Sequence, residues 1–315
     1  MPEPRVWSIP MRARFRGIEV REGLLLRGDA GWGEWSPFWD YDDAGCVPWL
    51  AAAREAADVG WPDPVRTSVP VNVTVPAVGP AAAAQVVRDS AGCRTAKVKV
   101  AEPGQTEADD LARVEAVRDA LGPAGKLRVD ANGGWDIDTA VRTIRLLDRV
   151  GLEYVEQPCR TVEELAAVRR RVDVPVAADE SIRRAEDPLR VARLHAADIA
   201  VLKVQPLGGV AACLRIAEQI GLPVVVSSAL ESSVGIAAGL ALAAALPTLP
   251  YACGLATLQL LDGDVTSTPL RVVEGCLPVV RPDADAPDAV RADTATRARW
   301  LARLRAVEAR LGSRP

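Results

Sequence analysis

Two lysines stand inside a stretch that otherwise has the pattern of a buried β-strand. The stretch is Thr-Ala-Lys-Val-Lys-Val, residues 95–100, and its lysines are Lys97 and Lys99. Arginine provides nearly all other basic side chains, because only two further lysines, Lys126 and Lys203, occur in the chain. Lysine, unlike arginine, shifts its pKa readily on burial and can transfer a proton. Because an unpaired buried ammonium group is costly, the stretch predicts acidic partners elsewhere in the chain.

Composition narrows the class of protein. The 315 residues carry a net charge of −4, which gives no basic footprint for nucleic acid. No run of apolar residues is long enough to span a membrane, and the N-terminus has no signal-peptide pattern, so we expect a cytoplasmic protein. The six cysteines are scattered singly, unlike those of a zinc site or a disulfide scaffold. A small-molecule substrate is the expected partner, and the oligomeric state stays open.

The chain divides into three predicted parts. Residues 1–66 contain short alternating runs and glycine turns, which predict an α+β capping domain. Residues 67–261 repeat a strand followed by a helix, which favours a closed (β/α) barrel of the modified TIM type over an open doubly wound sheet. Residues 262–315 are predicted to complete the cap and to end in a helix over 292–311. The eight predicted barrel strands are 69–75, 96–100, 127–131, 154–156, 176–179, 199–204, 224–227 and 251–256.

A charged residue ends each of five successive predicted strands. Barrel enzymes place their catalytic groups at these carboxyl ends. A single Asp at such a position is more often the N-cap of the next helix than a ligand. Five in an unbroken series, in a chain nearly without lysine, are much harder to explain by capping. The five residues are Lys99, Asp130, Glu156, Asp179 and Lys203.

The three acids of this series would lie at one level of the barrel mouth and need a counter-ion. An oxygen-only ligand set suits a hard divalent cation, which predicts Mg²⁺ with Mn²⁺ as a substitute. Lys97 and Lys99 share one face of their strand, while Lys203 approaches from four strands away. This arrangement suits removal of a proton beside a carboxylate. A metal-stabilised binding protein is the non-enzymatic alternative, but it does not explain two opposed lysines.

The motifs at the strand ends resemble those of the enolase superfamily. They are, in order, Lys-Val-Lys, Val-Asp-Ala-Asn, Val-Glu-Gln-Pro, Ala-Asp-Glu-Ser and Leu-Lys-Val-Gln-Pro, and Gly-Trp-Gly-Glu-Trp-Ser-Pro extends the resemblance to the cap. The paired lysines resemble the muconate-lactonizing subgroup, whereas a mandelate-racemase-like enzyme would use a His-Asp pair. Within the subgroup, residues 71–77, 227–235 and 252–257 are similar to those of the o-succinylbenzoate synthases.

The resemblance implies an enolase-like fold and a reaction. It implies a lyase of menaquinone biosynthesis that dehydrates 2-succinyl-6-hydroxy-2,4-cyclohexadiene-1-carboxylate to 2-succinylbenzoate. Lys99 would act first as base and then as acid, Lys203 would stabilise the enediolate, and Lys97 would support Lys99. The remaining implied residues are Asp130, Glu156 and Asp179 for Mg²⁺, Asn132 and Ser181 for orienting the site, and Ser227, Ser228, Glu231 and Ser232, with Asn132, for binding substrate.

Three related activities on the same scaffold are alternatives. A dipeptide epimerase resembles this layout but carries acids on the eighth strand, and residues 252–257 contain none. A muconate cycloisomerase also has an acid on the last strand. An N-acylamino acid racemase shares both lysines and all three acids, so it is the hardest of the three to exclude. Its activity can coexist with the synthase reaction in one site.

Overall fold

A computed structural model describes residues 3–15, 17–184, 187–285 and 290–312. The N-terminal region forms an antiparallel sheet of β1 (Arg5–Phe15), β2 (Ile18–Gly28) and β3 (Gly31–Trp35), in that order. Helix α1 (Val47–Arg54) packs on this sheet and continues as a π-helical turn, Glu55–Val59. Gly33 permits this packing, because a Cβ atom there would collide with the carbonyl oxygen of Ala53.

The next part of the described chain is a ring of parallel strands with apolar sequences. Each strand pairs in parallel with the next, and β11 pairs with β4. A parallel bridge between Ser227 and Gly254 joins the two remaining edges. The predicted barrel is therefore confirmed, and the open sheet is wrong. The strands are β4 (Ser68–Val75), β5 (Thr95–Lys99), β6 (Lys126–Asp130), β7 (Leu152–Glu156), β8 (Val176–Ala178), β9 (Ile199–Leu202), β10 (Val224–Val226) and β11 (Cys253–Ala256).

Helices cover the outside of the barrel. Two of them begin with a capping box, in which Thr106 or Thr161 exchanges hydrogen bonds with the third helical residue. The helices are α2 (Pro80–Arg88), α3 (Glu107–Leu121), α4 (Ile137–Leu147), α5 (Val162–Arg169), α6 (Glu180–Arg183), α7 (Arg190–Arg193), α8 (Val204–Leu207), α9 (Val210–Ile220) and α10 (Ser233–Ala245). Short 3-10 turns occupy Asp148–Val150 and Leu258–Leu260. Within the described ranges, every helix is too short or too polar to cross a membrane.

Helix α10 is buried along nearly its whole length, which explains its almost entirely apolar sequence. It contacts β3 of the N-terminal sheet as well as β4 and β10 of the barrel. The segment 227–233, between β10 and α10, is consequently held where the sheet meets the barrel mouth.

The C-terminal residues return to the N-terminal sheet. Strand β12 (Cys276–Pro278) pairs antiparallel with β4, and α11 (Thr294–Gly312) occupies the place of the helix predicted over 292–311. Trp300, Leu304 and Val307 of α11 are buried in the apolar core of the cap. The predicted domain boundaries at residues 66 and 261 stay predictions. Residues 286–289 and 313–315 of the predicted C-terminal part lie outside the described residues.

Replacing Trp300 with Ala should lower the free energy of unfolding by about 3–5 kcal/mol, the usual cost of removing a buried tryptophan. The ring is fully buried, stands edge-on to Trp35 at 5.5 Å, and its Nε1 donates to Glu22 at 3.0 Å. Urea unfolding followed by circular dichroism measures the change. Val280→Ala, at a side chain that is 52% exposed, is the control and should change stability by less than about 0.5 kcal/mol. A loss below about 1 kcal/mol for Trp300→Ala would mean that α11 does not anchor the cap.

Candidate active site

The carboxyl ends of five neighbouring strands bring six charged side chains together. The strand register places Lys99 beside Asp130 and Asp130 beside Glu156. Each acid is at most 1% exposed, and each lysine at most 8%. The structure thus brings all six predicted charged residues into one buried cluster, the charged cluster: Lys97, Lys99, Asp130, Glu156, Asp179 and Lys203.

Each lysine in the charged cluster is held by carboxylate oxygens. Lys99 Nζ lies 2.5 Å from Asp130 Oδ2 and also donates to Asn132 Oδ1 at 2.6 Å. Lys97 Nζ lies 2.8 and 2.9 Å from the two oxygens of Glu156 and 3.4 Å from Asp130 Oδ2. Two ammonium groups therefore share one side of the barrel mouth.

Lys203 occupies the other side. Its Nζ lies 2.6 Å from Asp179 Oδ2, while Arg183 Nε donates to Asp179 Oδ1 at 2.9 Å. Burial opposes ionisation of Asp179, but Arg183 and Lys203 outweigh it and hold the pKa of this carboxyl well below its usual range. Burial lowers the pKa of Lys203, with Asp179 opposing the shift.

On the side of the barrel mouth that holds Lys97 and Lys99, the positive charges do not compensate Asp130 and Glu156 equally. Burial opposes ionisation of Asp130, but Lys99 and Lys97 outweigh it and lower its pKa. Burial and the neighbouring Asp130 raise the pKa of Glu156 to about 7, although Lys97 opposes this shift. Burial alone would lower the pKa of Lys97, but Glu156 and Asp130 together raise it. One ammonium group is thus shared by two carboxylates, and Glu156 lacks part of its compensating positive charge.

The donor chemistry fits a hard divalent cation. All three acids offer buried oxygen atoms, and the incomplete compensation of Glu156 leaves a place for further positive charge. In the described part of the chain no three acidic, histidine or cysteine side chains form a metal-binding cluster. Lysine and arginine groups contact all three acids in this structure. Assignment of Asp130, Glu156 and Asp179 as metal ligands therefore stays a prediction.

Two residues that follow the acids have unusual backbone conformations. Asn132 and Gln157 have φ values of 45° and 41°, in the left-handed region that non-glycine residues rarely adopt. The side chain of Gln157 donates to Ser181 Oγ at 2.8 Å, and its Oε1 accepts from the backbone N–H of Asp179 at 3.0 Å. Gln157 thereby fixes two neighbouring strand ends. The sequence did not indicate that Gln157 links these strand ends, although Gln157 stands within the Val-Glu-Gln-Pro motif.

Arg183 and the aromatic residues of the cap were also missed. Arg183 lies one helical turn after Asp179, and this spacing is the only signal in the sequence for the ion pair. Phe15 and Phe38 extend from the N-terminal region over the charged cluster, with Lys99 Nζ 5.3 Å from the centroid of the Phe15 ring. Nothing in the sequence pattern distinguishes these two rings from ordinary core residues.

The cavity beside the charged cluster has a volume of about 30 Å³. This is room for about one or two water molecules, since each needs roughly 10–15 Å³ of such space. Its lining outside the charged cluster is Phe15, Phe38, Thr74, Ser227, Ser228, Ala229, Leu230, Gly254 and Thr257. The cap is therefore closed over the barrel mouth in this structure.

The predicted substrate-binding residues of the segment 227–233 fall into two groups. Ser227 and Ser228 line the cavity, and Ser228 Oγ lies 2.7 Å from Thr257 Oγ1. Glu231 instead accepts from the backbone N–H of Ala229 at 2.6 Å, and Ser232 Oγ donates to Glu34 of β3. These contacts direct Glu231 and Ser232 toward the segment itself and the cap. All four substrate-binding assignments stay predictions.

Glu34 is a buried acid that sequence reasoning did not single out. Burial, followed by the nearby Glu231, raises its pKa to about 7. Hydrogen bonds from Ser36 and Ser232 oppose this shift. Its carboxylate is therefore linked to both the cap and the segment 227–233.

Comparisons with known proteins agree with this geometry. Family models described as enolase C-terminal domain-like and enolase N-terminal domain-like match residues 80–287 and 6–57. An o-succinylbenzoate synthase of Thermobifida fusca is 67% identical over 97% of this chain and 96% of its own length. This chain belongs to the o-succinylbenzoate synthase family of the enolase superfamily.

Two further comparisons support the assignment. The o-succinylbenzoate synthase of Mycolicibacterium smegmatis is 56% identical over 96% of this chain and 94% of its own length. A solved muconate cycloisomerase from Pseudomonas fluorescens superposes with a TM-score of 0.77, covering 92% of this chain and 98% of that chain at 23% identity. The latter match supports the fold alone. The predicted superfamily, subgroup and enzyme class, a hydro-lyase, are confirmed.

Proposed function

We propose that the charged cluster catalyses the syn-dehydration of 2-succinyl-6-hydroxy-2,4-cyclohexadiene-1-carboxylate to 2-succinylbenzoate. The observation that carries the proposal is the placement of Lys99 and Lys203 on opposite sides of three buried carboxylates. Such a site can remove a proton beside a carboxylate and stabilise the charge that develops. The 67% identity to a synthase of this name supports the same reaction.

Lys99 is the proposed base and acid. Its Nζ takes the proton from the ring carbon that bears the carboxylate. The same Nζ then gives that proton to the hydroxyl group leaving the adjacent carbon, so water departs and the ring becomes aromatic. Asp130 and Asn132 hold Nζ in place at 2.5 and 2.6 Å. Lys203 supplies positive charge from the other side, where Asp179 fixes its position.

Enzymes of the enolase superfamily generally use Mg²⁺. We propose that Asp130, Glu156 and Asp179 hold this ion, and that Mn²⁺ can replace it. When bound, the ion supplies positive charge to the substrate carboxylate. Ser181 and Asn132 support the ligands indirectly, because Ser181 fixes Gln157 and Asn132 contacts Lys99.

The substrate is a small carboxylate, and we propose that Ser227 and Ser228 bind it through their hydroxyl groups. Two backbone N–H groups of this segment already have acceptors, because those of Ser227 and Ser228 donate to the carbonyl oxygens of Leu202 and Gly254. The cavity of about 30 Å³ has room for little more than water, so we expect part of its lining, which includes Phe15 and Phe38, to move when substrate binds.

Metal removal should abolish turnover. Without a cation, the compensation of Glu156 stays incomplete and the substrate carboxylate has no electrophilic partner. We expect activity to disappear on exhaustive EDTA treatment, to return with Mg²⁺, and to fall at least about a thousandfold in Asp179→Asn. The exposed Asp138→Asn is the matched control and should retain full activity. Turnover that survives both EDTA and Asp179→Asn would rule out the metal assignment.

Lys99→Arg and Lys203→Arg should have different effects on dehydration and on exchange of the substrate proton. Arginine keeps the charge but cannot lose its proton, so Lys99→Arg should stop both dehydration and exchange of the substrate proton with deuterium oxide. Lys203→Arg should retain measurable dehydration, because Lys203 acts mainly through its charge. Lys126→Arg, at an exposed lysine on the opposite end of β6, should behave as wild type. Equal and mild effects at Lys99 and Lys203 would contradict both roles.

The racemase is the remaining alternative, since both reactions begin with the same proton removal. Racemisation needs Lys203 to return a proton on the opposite face, whereas dehydration can be completed by Lys99 alone. The dipeptide epimerase is disfavoured separately, because the eighth strand, Cys253–Ala256, carries no acid that could hold a substrate amine.

We expect kcat/KM for the cyclohexadiene carboxylate to exceed that for any N-succinyl amino acid by at least about a hundredfold, or about 2.7 kcal/mol. Aromatisation lowers the barrier of the dehydration. This reaction also does not need Lys203 to deliver a proton, so it tolerates a looser placement of that side chain. Both substrates should be measured side by side at saturating Mg²⁺. Comparable values would favour the racemase.

A further inference from the structure

The segment 227–233 forms part of the wall of the active cavity, and its residues 228–232 have no regular secondary structure. Ala229 and Leu230 lie on the cavity wall, and Leu230 has a φ of 63°. A branched residue in the left-handed region needs support from its surroundings. Two side chains of the cap contact this segment, one in its middle and one where it leads into α10.

Arg21 of β2 contacts the middle of the segment, at Ala229 and Leu230. Its side chain is buried, with Nε donating to Leu230 O at 3.0 Å and Nη2 donating to Ala229 O at 3.2 Å. The same Nη2 donates to Ser36 O in the cap. The guanidinium carbon also lies 4.4 Å from the centroid of the Phe38 ring, which covers the cavity. One rigid group of donors thus joins the segment to the cap and to the aromatic cover.

Glu34 of β3 contacts the segment where it leads into α10, at Ser232 and Gly235. Its Oε2 accepts from the backbone N–H groups of Ser232 at 3.1 Å and Gly235 at 3.2 Å, and from the hydroxyl of Ser232. Its Oε1 accepts from Ser36 Oγ at 2.7 Å. The carboxylate therefore fixes the start of α10, where backbone N–H groups lack partners within the helix.

Arg21 and Glu34 lie on paired strands of one sheet, so their relative position is fixed by the cap. We propose that they are positioning residues through which the cap sets the conformation of the segment 227–233 around the substrate. This inference rests on the proposed function of the same cavity. Neither side chain needs to touch the substrate, because Arg21 acts through the carbonyl groups of Ala229 and Leu230 and Glu34 through Ser232 and Gly235.

The decisive variants are Arg21→Met, Arg21→Lys, Glu34→Leu and Glu34→Gln. Lysine keeps the charge, but its single ammonium group cannot reach the four carbonyl groups to which the planar guanidinium of Arg21 donates, so both Arg21 variants should raise KM by about tenfold or more. Glutamine can still accept from Ser232 and Gly235 through its carbonyl oxygen and donate to Ser36 through its amide. Glu34→Gln should therefore stay within about threefold of the wild-type KM, whereas Glu34→Leu should raise it at least about tenfold.

Arg118→Lys is the matched control. Arg118 also binds several carbonyl groups, those of Val150 and Gly125 at 2.8 Å among them, but at the amino ends of the barrel strands. This variant should lower Tm without changing KM. A purely structural role for Arg21 would produce the same result, a lower Tm with wild-type KM and kcat, and would overturn the proposal.

Amide hydrogen exchange of residues 227–235, followed by mass spectrometry, provides a readout that does not depend on turnover. Exchange should be faster in Arg21→Met and Glu34→Leu than in wild type, and unchanged in Glu34→Gln and Arg118→Lys. Unchanged exchange in the first two variants would overturn the proposal. If the wild type does not convert the cyclohexadiene carboxylate, the proposed function fails, while the exchange data still test whether the cap orders this segment.

Discussion

Compensation of three buried carboxylates by a small number of cations is the constraint on which this active site depends. Asp130, Glu156 and Asp179 end adjacent strands of a parallel barrel, so they cannot separate without breaking the sheet. Burial in a medium of low polarity makes every uncompensated charge expensive. The lysines must therefore enter the barrel mouth from strands as well, where the same sheet holds them rigidly.

This constraint also explains why the compensation is incomplete. A site that fully neutralised its acids with lysine would have no need of a further cation and no reactive ammonium group. Burial and the neighbouring Asp130 raise the pKa of Glu156 against the opposing effect of Lys97, while burial lowers the pKa of Lys203. The same desolvation that threatens stability thus shifts the pKa values of acidic and basic groups in this site, as in other sites where burial changes them.

The cap converts this exposed edge of the barrel into an enclosed site. Phe15 and Phe38 exclude water above the charged cluster, which strengthens its electrostatic interactions. The cap is coupled to the barrel through buried polar contacts rather than apolar packing alone. Ser36, for example, exchanges hydrogen bonds with Gln205, two residues after Lys203. A buried hydrogen-bond network is weakened when one of its partners moves. Movement of the cap should therefore change the geometry on both sides of the cavity.

The barrel and the six charged residues at the strand ends could be predicted from the amino-acid pattern, because apolar strands repeat regularly and buried charges interrupt them. The pattern did not reveal Gln157, Arg183, Arg21 or Glu34. Their roles arise from partners that are distant in the chain, such as Leu230 for Arg21 and Ser232 for Glu34. The tertiary structure alone decided how the cap meets the barrel, since local periodicity records which face a residue buries but not which distant group it meets there.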